Sequence, residues 1–203
     1  NHDSAERIAF GGRLMDKSGI YMSPVYNGII EPITLTDEFG NMKFYMLPFV
    51  KPSNVRRFCP DQDVTTYTEA VKAAIENMKI DSSERNILIT HQFVTGAMRT
   101  ESEDISVGGT DNVDASVFED FDYVALGHIH RAQKCGSEYV RYSGTPLKYS
   151  FSEANDVKSV TMIDMKEKGN IELSFIPLTP KRDLVEIKGS YNELTLKSFY
   201  EGT

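Results

Sequence analysis

Two short apolar runs constrain this chain more than any other feature. Asn86-Ile87-Leu88-Ile89-Thr90 and Tyr123-Val124-Ala125-Leu126 show no alternation of polar and apolar residues, which is the pattern of strands covered on both faces. Ahead of the first run, Thr66 and Glu69 have capping-box spacing, and Tyr67, Ala70, Val71, Ala74, Ile75 and Met78 recur at the helical period. A helix is therefore predicted to lead into a buried strand. Towards the two ends the pattern turns to hairpins. Residues 29–37 and 42–49 flank Glu38-Phe39-Gly40-Asn41, and residues 159–165 and 171–178 flank Lys168-Gly169-Asn170. With a further strand at Tyr139–Ser143, the expected class is α/β, with a layered, mixed sheet.

The remaining segments are less regular. Asp3 as N-cap, with Glu6 three residues on, predicts a helix from the first residues to Leu14 or Met15, weakened by Gly11-Gly12 and stopped by Gly19. A chain that opens in the turn launching a helix is expected to be truncated. Lys51 to Asp63 reads as a connector. From 101 to 122 there are eight acids and no base, predicting loop around Val107-Gly108-Gly109-Thr110 and a short helix near 114–119. Gly108-Gly109 lacks the Lys-Ser/Thr of a phosphate-binding P-loop. After Pro177 and Pro180, Lys181 to Ile187 is expected to start a new strand. A boundary near 179 then separates residues 1–178 from residues 179–203.

Composition narrows the function. With 203 residues, 40% hydrophobic and 26% charged, disorder, collagen and coiled coil are excluded as the main reading. No apolar stretch approaches the roughly 18 residues of a membrane span, and nothing resembles a signal peptide. Cys59 and Cys135 stand far apart with no Cys-x-x-Cys pair, so a reducing cytoplasm is the expected location. Thirty acids against 22 bases give a net charge of −8. Such a surface attracts nucleic acid poorly unless its bases cluster, and Arg56-Arg57, Arg131 with Lys134, and Lys148 are the candidates.

The four histidines carry the chemical information. His91 follows the first buried strand, and Gly127-His128-Ile129-His130 follows the second. Open α/β sheets place ligands beyond the carboxyl ends of their strands. A lone histidine such as His91 is more often a hydrogen-bonded structural residue. His128 and His130, two apart, face the same way if the segment is extended, and so can converge on one metal or on two neighbouring ones. Asn1 and Asp3 are unremarkable alone, as turn and cap residues. Cys135 could complete a zinc set with His128 and His130, although a small buried thiol suits its spacing better.

Taken together, Asn1-His2-Asp3, then His91 after a strand, then Gly127-His128-Ile129-His130 after a later strand, resembles the second half of the calcineurin-like metallophosphoesterase signature. Within that superfamily Val107-Gly108-Gly109-Thr110, Val113-Asp114-Ala115-Ser116, the run Tyr142 to Glu153, and Lys181-Arg182-Asp183 resemble the bacterial SbcD family of nuclease subunits. The resemblance implies a four-layer α/β sandwich with mixed sheets, whose leading part is missing here, followed by the start of a capping domain at 179–203. It implies two divalent cations, usually Mn2+ with Mg2+ possible, hydrolysing DNA phosphodiesters as exonuclease and endonuclease in repair, recombination and replication. Asn1, His91 and His128 then correspond to ligands of one metal and His130 to a ligand of the other. His2 corresponds to the non-ligating catalytic histidine, with Asp3 orienting it. An SbcC-type ATPase, a second copy of the nuclease subunit and DNA are the implied partners.

The Asp-x-His and Gly-Asp motifs that normally precede this segment do not occur in the sequence. They carry the other first-metal ligands and the bridging carboxylate, so the chain by itself is expected to be a poor nuclease. Two other readings compete. One is a metallophosphoesterase acting on a small phosphodiester or phosphoprotein. The other is a non-catalytic docking module stabilised by zinc on His128, His130 and Cys135.

Overall fold

The computed structural model describes residues 4–10, 12–23, 25–101, 103 and 111–200. It opens with two short helices, α1 (Ala5–Ala9) and α2 (Gly12–Asp16), where the sequence predicts one. Phe10 is extended and ends α1 beside the glycine pair. The N-cap is Ser4, not Asp3: the Ser4 Oγ accepts from the Arg7 N–H at 3.4 Å and donates to Glu6 at 2.8 Å. A serine hydroxyl one residue later does the capping expected of the aspartate.

There follow β1 (Ile33–Asp37), β2 (Gly40–Leu47), α3 (Pro52–Arg56), α4 (Tyr67–Glu76), β3 (Arg85–His91), β4 (Phe93–Val94), β5 (Asn112–Val113), β6 (Tyr123–Gly127), β7 (Gln133–Cys135), β8 (Ser137–Tyr142), β9 (Ser159–Met165), β10 (Ile171–Pro177), α5 (Tyr191–Leu194) and α6 (Lys197–Tyr200). The first hairpin is shorter than expected at its outer ends. β1 begins only after Pro32, its ladder with β2 ending at Ile33 opposite Phe44, and β2, paired on its other side with β3, ends before Pro48; proline has no N–H to offer a ladder. The 3-10 turn Ala115–Phe118, capped by Asp114, occupies the place expected for a short helix.

The main sheet has the order β1-β2-β3-β6-β8-β7. Strands β2, β3, β6 and β8 run parallel, and β1 and β7 pair antiparallel at the two edges. It is the mixed sheet that the sequence predicts, with both apolar runs in its interior. Side chains alternate across it. Tyr45, Leu88 and Val124 join the core on the face covered by Ala70, Val71, Ala74 and Ile75 of α4. Ile87, Tyr123 and Ala125 point the other way and pack on Ile163, Met165, Ile171 and Leu173 of the β9–β10 hairpin. The layers are therefore helix, six-stranded sheet and two-stranded sheet.

Residues 181–187 do not form the expected strand, and Val185 and Ile187 are exposed. β-branched residues need a neighbouring strand to pack against, and among the described residues none pairs with this segment. Two short helices, α5 and α6, follow it; α5 starts on a Ser190–Glu193 capping box, a local signal that sequence reasoning passed over.

Candidate metal centre

β3 and β6 are parallel neighbours, with His91 directly abreast of Gly127. The main chain thus delivers the last residue of one buried strand and the Gly-His step of the other to the same end of the sheet. Gly127 leaves the His91 ring its place there: a Cβ on it would lie 2.8 Å from Nδ1 of His91, and the ring would have to shift. The next residue, His128, has φ +109°, a conformation that non-glycine residues rarely adopt and that clusters at functional sites. Its imidazole meets that of His91 edge to face, ring centroids 5.2 Å apart, and Phe93 flanks it at 6.2 Å. Phe93 is backed by the Arg99 guanidinium, 3.6 Å from its centroid, which also pairs with Asp111 at 3.3 Å.

Ile129 is buried in the core and separates the two later histidines. The positive φ of His128 means that the segment is not extended, so the simple two-residue argument for His128 and His130 does not describe it. The His130 ring instead sits 5.7 Å from the exposed Tyr149 ring, and its Nδ1 lies 3.6 Å from Glu153 Oε1. Its main chain is gripped as well: the N–H donates to Glu103 at 2.5 Å, and the C=O accepts from the Thr145 N–H at 3.0 Å. Glu103 belongs to the acidic stretch read as loop, and no local signal distinguishes it from the other acids there.

Asn1, His2 and Asp3 lie outside the described residues. Among the described residues, no three His, Cys, Asp or Glu side chains gather as a metal-holding group, so His128, His130 and Cys135 do not form a zinc set. Cys135 is buried in β7, and that burial raises its thiol pKa, which disfavours the thiolate a metal requires. What the described residues do offer a divalent cation is two neighbouring imidazoles, the commonest protein ligands, at strand ends where a glycine leaves room for them. That donor chemistry fits a shared metal.

The candidate DNA-facing bases are engaged within the chain. Arg56 donates twice to the Val64 carbonyl, Arg57 lies over the Phe58 ring, and Arg131 pairs with Asp156. Lys134 pairs with Glu138, and Lys148 with Asp183. No helix among the described residues is long and apolar enough to cross a membrane.

No family model matches the chain. Against curated proteins it is 34% identical over 197 residues to the SbcD subunit of nuclease SbcCD from Staphylococcus epidermidis, covering 96% of this chain and 52% of the relative. The SbcD subunit of the same nuclease from Staphylococcus saprophyticus is 35% identical over 196 residues, covering 95% of this chain and 51% of that relative. The chain spans about half the length of the curated relatives it matches.

Proposed function

Because the chain is a partial homologue of the SbcD nuclease subunits, similar to them along nearly its whole length, we propose that it carries part of a metal-dependent DNA nuclease subunit. The observation that supports this most is the edge-to-face pair of His91 and His128 at the ends of adjacent parallel strands. In this reading Asn1, His91 and His128 hold one divalent cation, Mn2+ or Mg2+, and His130 contributes to a second. A bound cation pair neutralises the phosphate, lowers the pKa of a water and stabilises the attacking and leaving oxygens.

The protein's own part is positional. Gly127 leaves space for the His91 ring, Ile129 anchors the turn in the core, and the Glu103 contact fixes the His130 main chain. In this reading His2 stabilises or protonates the leaving oxygen, and the role of Asp3 is to orient His2. The remaining first-metal ligands are absent from this sequence, so the 203-residue stretch alone is a poor nuclease. Residues 179–203 begin a capping domain. Much of the DNA grip falls, in this reading, to partners, an SbcC-type ATPase and a second nuclease subunit, in the cytoplasm; the net charge of −8 and the bases engaged within the chain support it.

The test is digestion of end-labelled linear duplex DNA with Mn2+ by the full-length protein, beside His128→Ala and a small generic phosphodiester. Degradation that disappears in the variant supports the nuclease. Cleavage of the small diester alone moves the protein to a different phosphoesterase. Silence on both substrates leaves a non-catalytic docking module.

A further inference from the structure

His130 is held by side chains remote from it in sequence, and two of them form a buried ion pair. Lys158 Nζ donates to the His130 carbonyl at 3.0 Å, to Thr145 Oγ1 at 3.2 Å and to Glu153 Oε2 at 2.6 Å, which occupies all three of its donors. The other Glu153 oxygen lies 3.6 Å from His130 Nδ1 and accepts from the Tyr149 N–H at 3.3 Å and Ser150 Oγ at 3.2 Å. The Lys158 and Glu153 side chains are 5% and 0% exposed. Gly144 completes the arrangement. Its φ is +77°, and a Cβ there would lie 2.7 Å from the His130 carbonyl oxygen, where Thr145 and Lys158 bind.

Stability alone is a weak reason for such a pair, since well-packed apolar residues of similar volume usually do as well or better. An apolar pair could not, however, hold the His130 carbonyl while facing its ring and fixing the backbone beside Tyr149. We infer that Glu153 and Lys158 are positioning residues for His130, setting its imidazole for a divalent cation and coupling it to the 144–153 loop. This rests on the metal reading proposed above. Neither residue is a ligand. Partners of this kind typically matter by about 10–100-fold in metal affinity.

The experiment uses the full-length protein, titrated with Mn2+ alone by calorimetry, with thermal unfolding measured in chelator. Glu153→Gln and Lys158→Met each leave one buried charge without its partner and are expected to melt earlier. Glu153→Gln/Lys158→Met removes both charges and is expected to regain most of that loss, yet to bind Mn2+ at least about tenfold more weakly. Lys158→Arg, which keeps the charge but replaces the compact ammonium, is a second probe should the neutral pair fail to fold; it too is expected to bind more weakly. Parent-like Mn2+ affinity in the folded double variant, or failing that in Lys158→Arg, overturns the positioning role. His130→Ala separates the two levels. If it leaves Mn2+ binding unchanged, the metal reading at His130 itself falls. If it removes a bound Mn2+ while the Glu153 and Lys158 variants bind normally, only the positioning role falls.

Discussion

Gly127 faces His91 across a parallel strand pair so closely that a single methyl group at residue 127 would lie 2.8 Å from His91 Nδ1. The ring, being at the end of a side chain, can move aside where backbone could not. Gly127→Ala is therefore expected to keep the fold and displace the imidazole. Mn2+ affinity should fall by about tenfold, the scale on which support of metal ligands matters, with an unchanged far-ultraviolet circular dichroism spectrum. Unaltered affinity would mean that His91 does not need this position.

Arg85 is a polar tie between the sheet layers. Its guanidinium, on a side chain only 2% exposed, pairs with both Asp37 oxygens and donates to the carbonyls of Gly40, Met165 and Lys166. It thereby joins the first hairpin, β3 and the β9–β10 hairpin. Arg85→Met leaves several of these acceptors without a donor and is expected to destabilise by roughly 3 kcal/mol in denaturant unfolding. Asp37→Asn should cost less, because Asp37 is half exposed and the carbonyls still hold the guanidinium. The hydrogen bond from Arg85 also lowers the Asp37 pKa from its ordinary 3.8. A depressed carboxylate contributes stability above its unfolded pKa and loses it as pH falls through the folded one. The parent should therefore lose this contribution only in acid below about pH 4, and Asp37→Asn should lack that part of the acid dependence.

The helix that leads into the first buried strand starts from a reciprocal cap. Thr66 Oγ1 accepts from the Glu69 N–H at 3.2 Å, and the Glu69 carboxylate accepts from the N–H groups of Thr65 and Thr66 at 2.9 and 2.8 Å. These bonds hold the Glu69 pKa down from 4.5 to about 2. Its contribution is present above the unfolded value and disappears as pH drops through about 2. Thr66→Ala should cost about 1 kcal/mol at neutral pH. Glu69→Gln should flatten stability between pH 4.5 and 2, read from melting temperatures across that range.

The sequence is most legible where a signal is local. Leu88 and Val124 disclose two-sided burial through their neighbours, and Thr66 with Glu69 discloses a helix start within four residues. His91 and His128 are identifiable as strand-end residues for the same reason. The segment 181–187 misleads because strand-forming residues name no partner, and here none pairs with them among the described residues. Glu103 and Lys158 are invisible as supports of His130, lying 27 and 28 residues away in the chain. A lone charged residue ordinarily reads as solvated surface; only the fold shows that these two are buried around a histidine.

Tyr142 gives the last test, because it holds the chain just past His91. Its fully buried hydroxyl donates to the Gln92 carbonyl at 2.6 Å and accepts from the Val94 N–H at 2.8 Å. Burial pushes the phenol far above its ordinary pKa of 10, so it stays neutral and can serve as donor and acceptor at once. Tyr142→Phe keeps the ring in the core but strips a partner from two backbone groups in the interior. Such unsatisfied groups cost about 1–3 kcal/mol, and a loss near the middle of that range is expected in denaturant unfolding. The slope of the unfolding curve should stay unchanged, because the surface exposed on unfolding is the same. Since Gln92 adjoins His91, Mn2+ affinity should fall too, whereas a purely global destabilisation would leave binding to the folded protein as it was. Lower stability with parent-like affinity would show that the Gln92–Val94 bridge supports the core without setting His91.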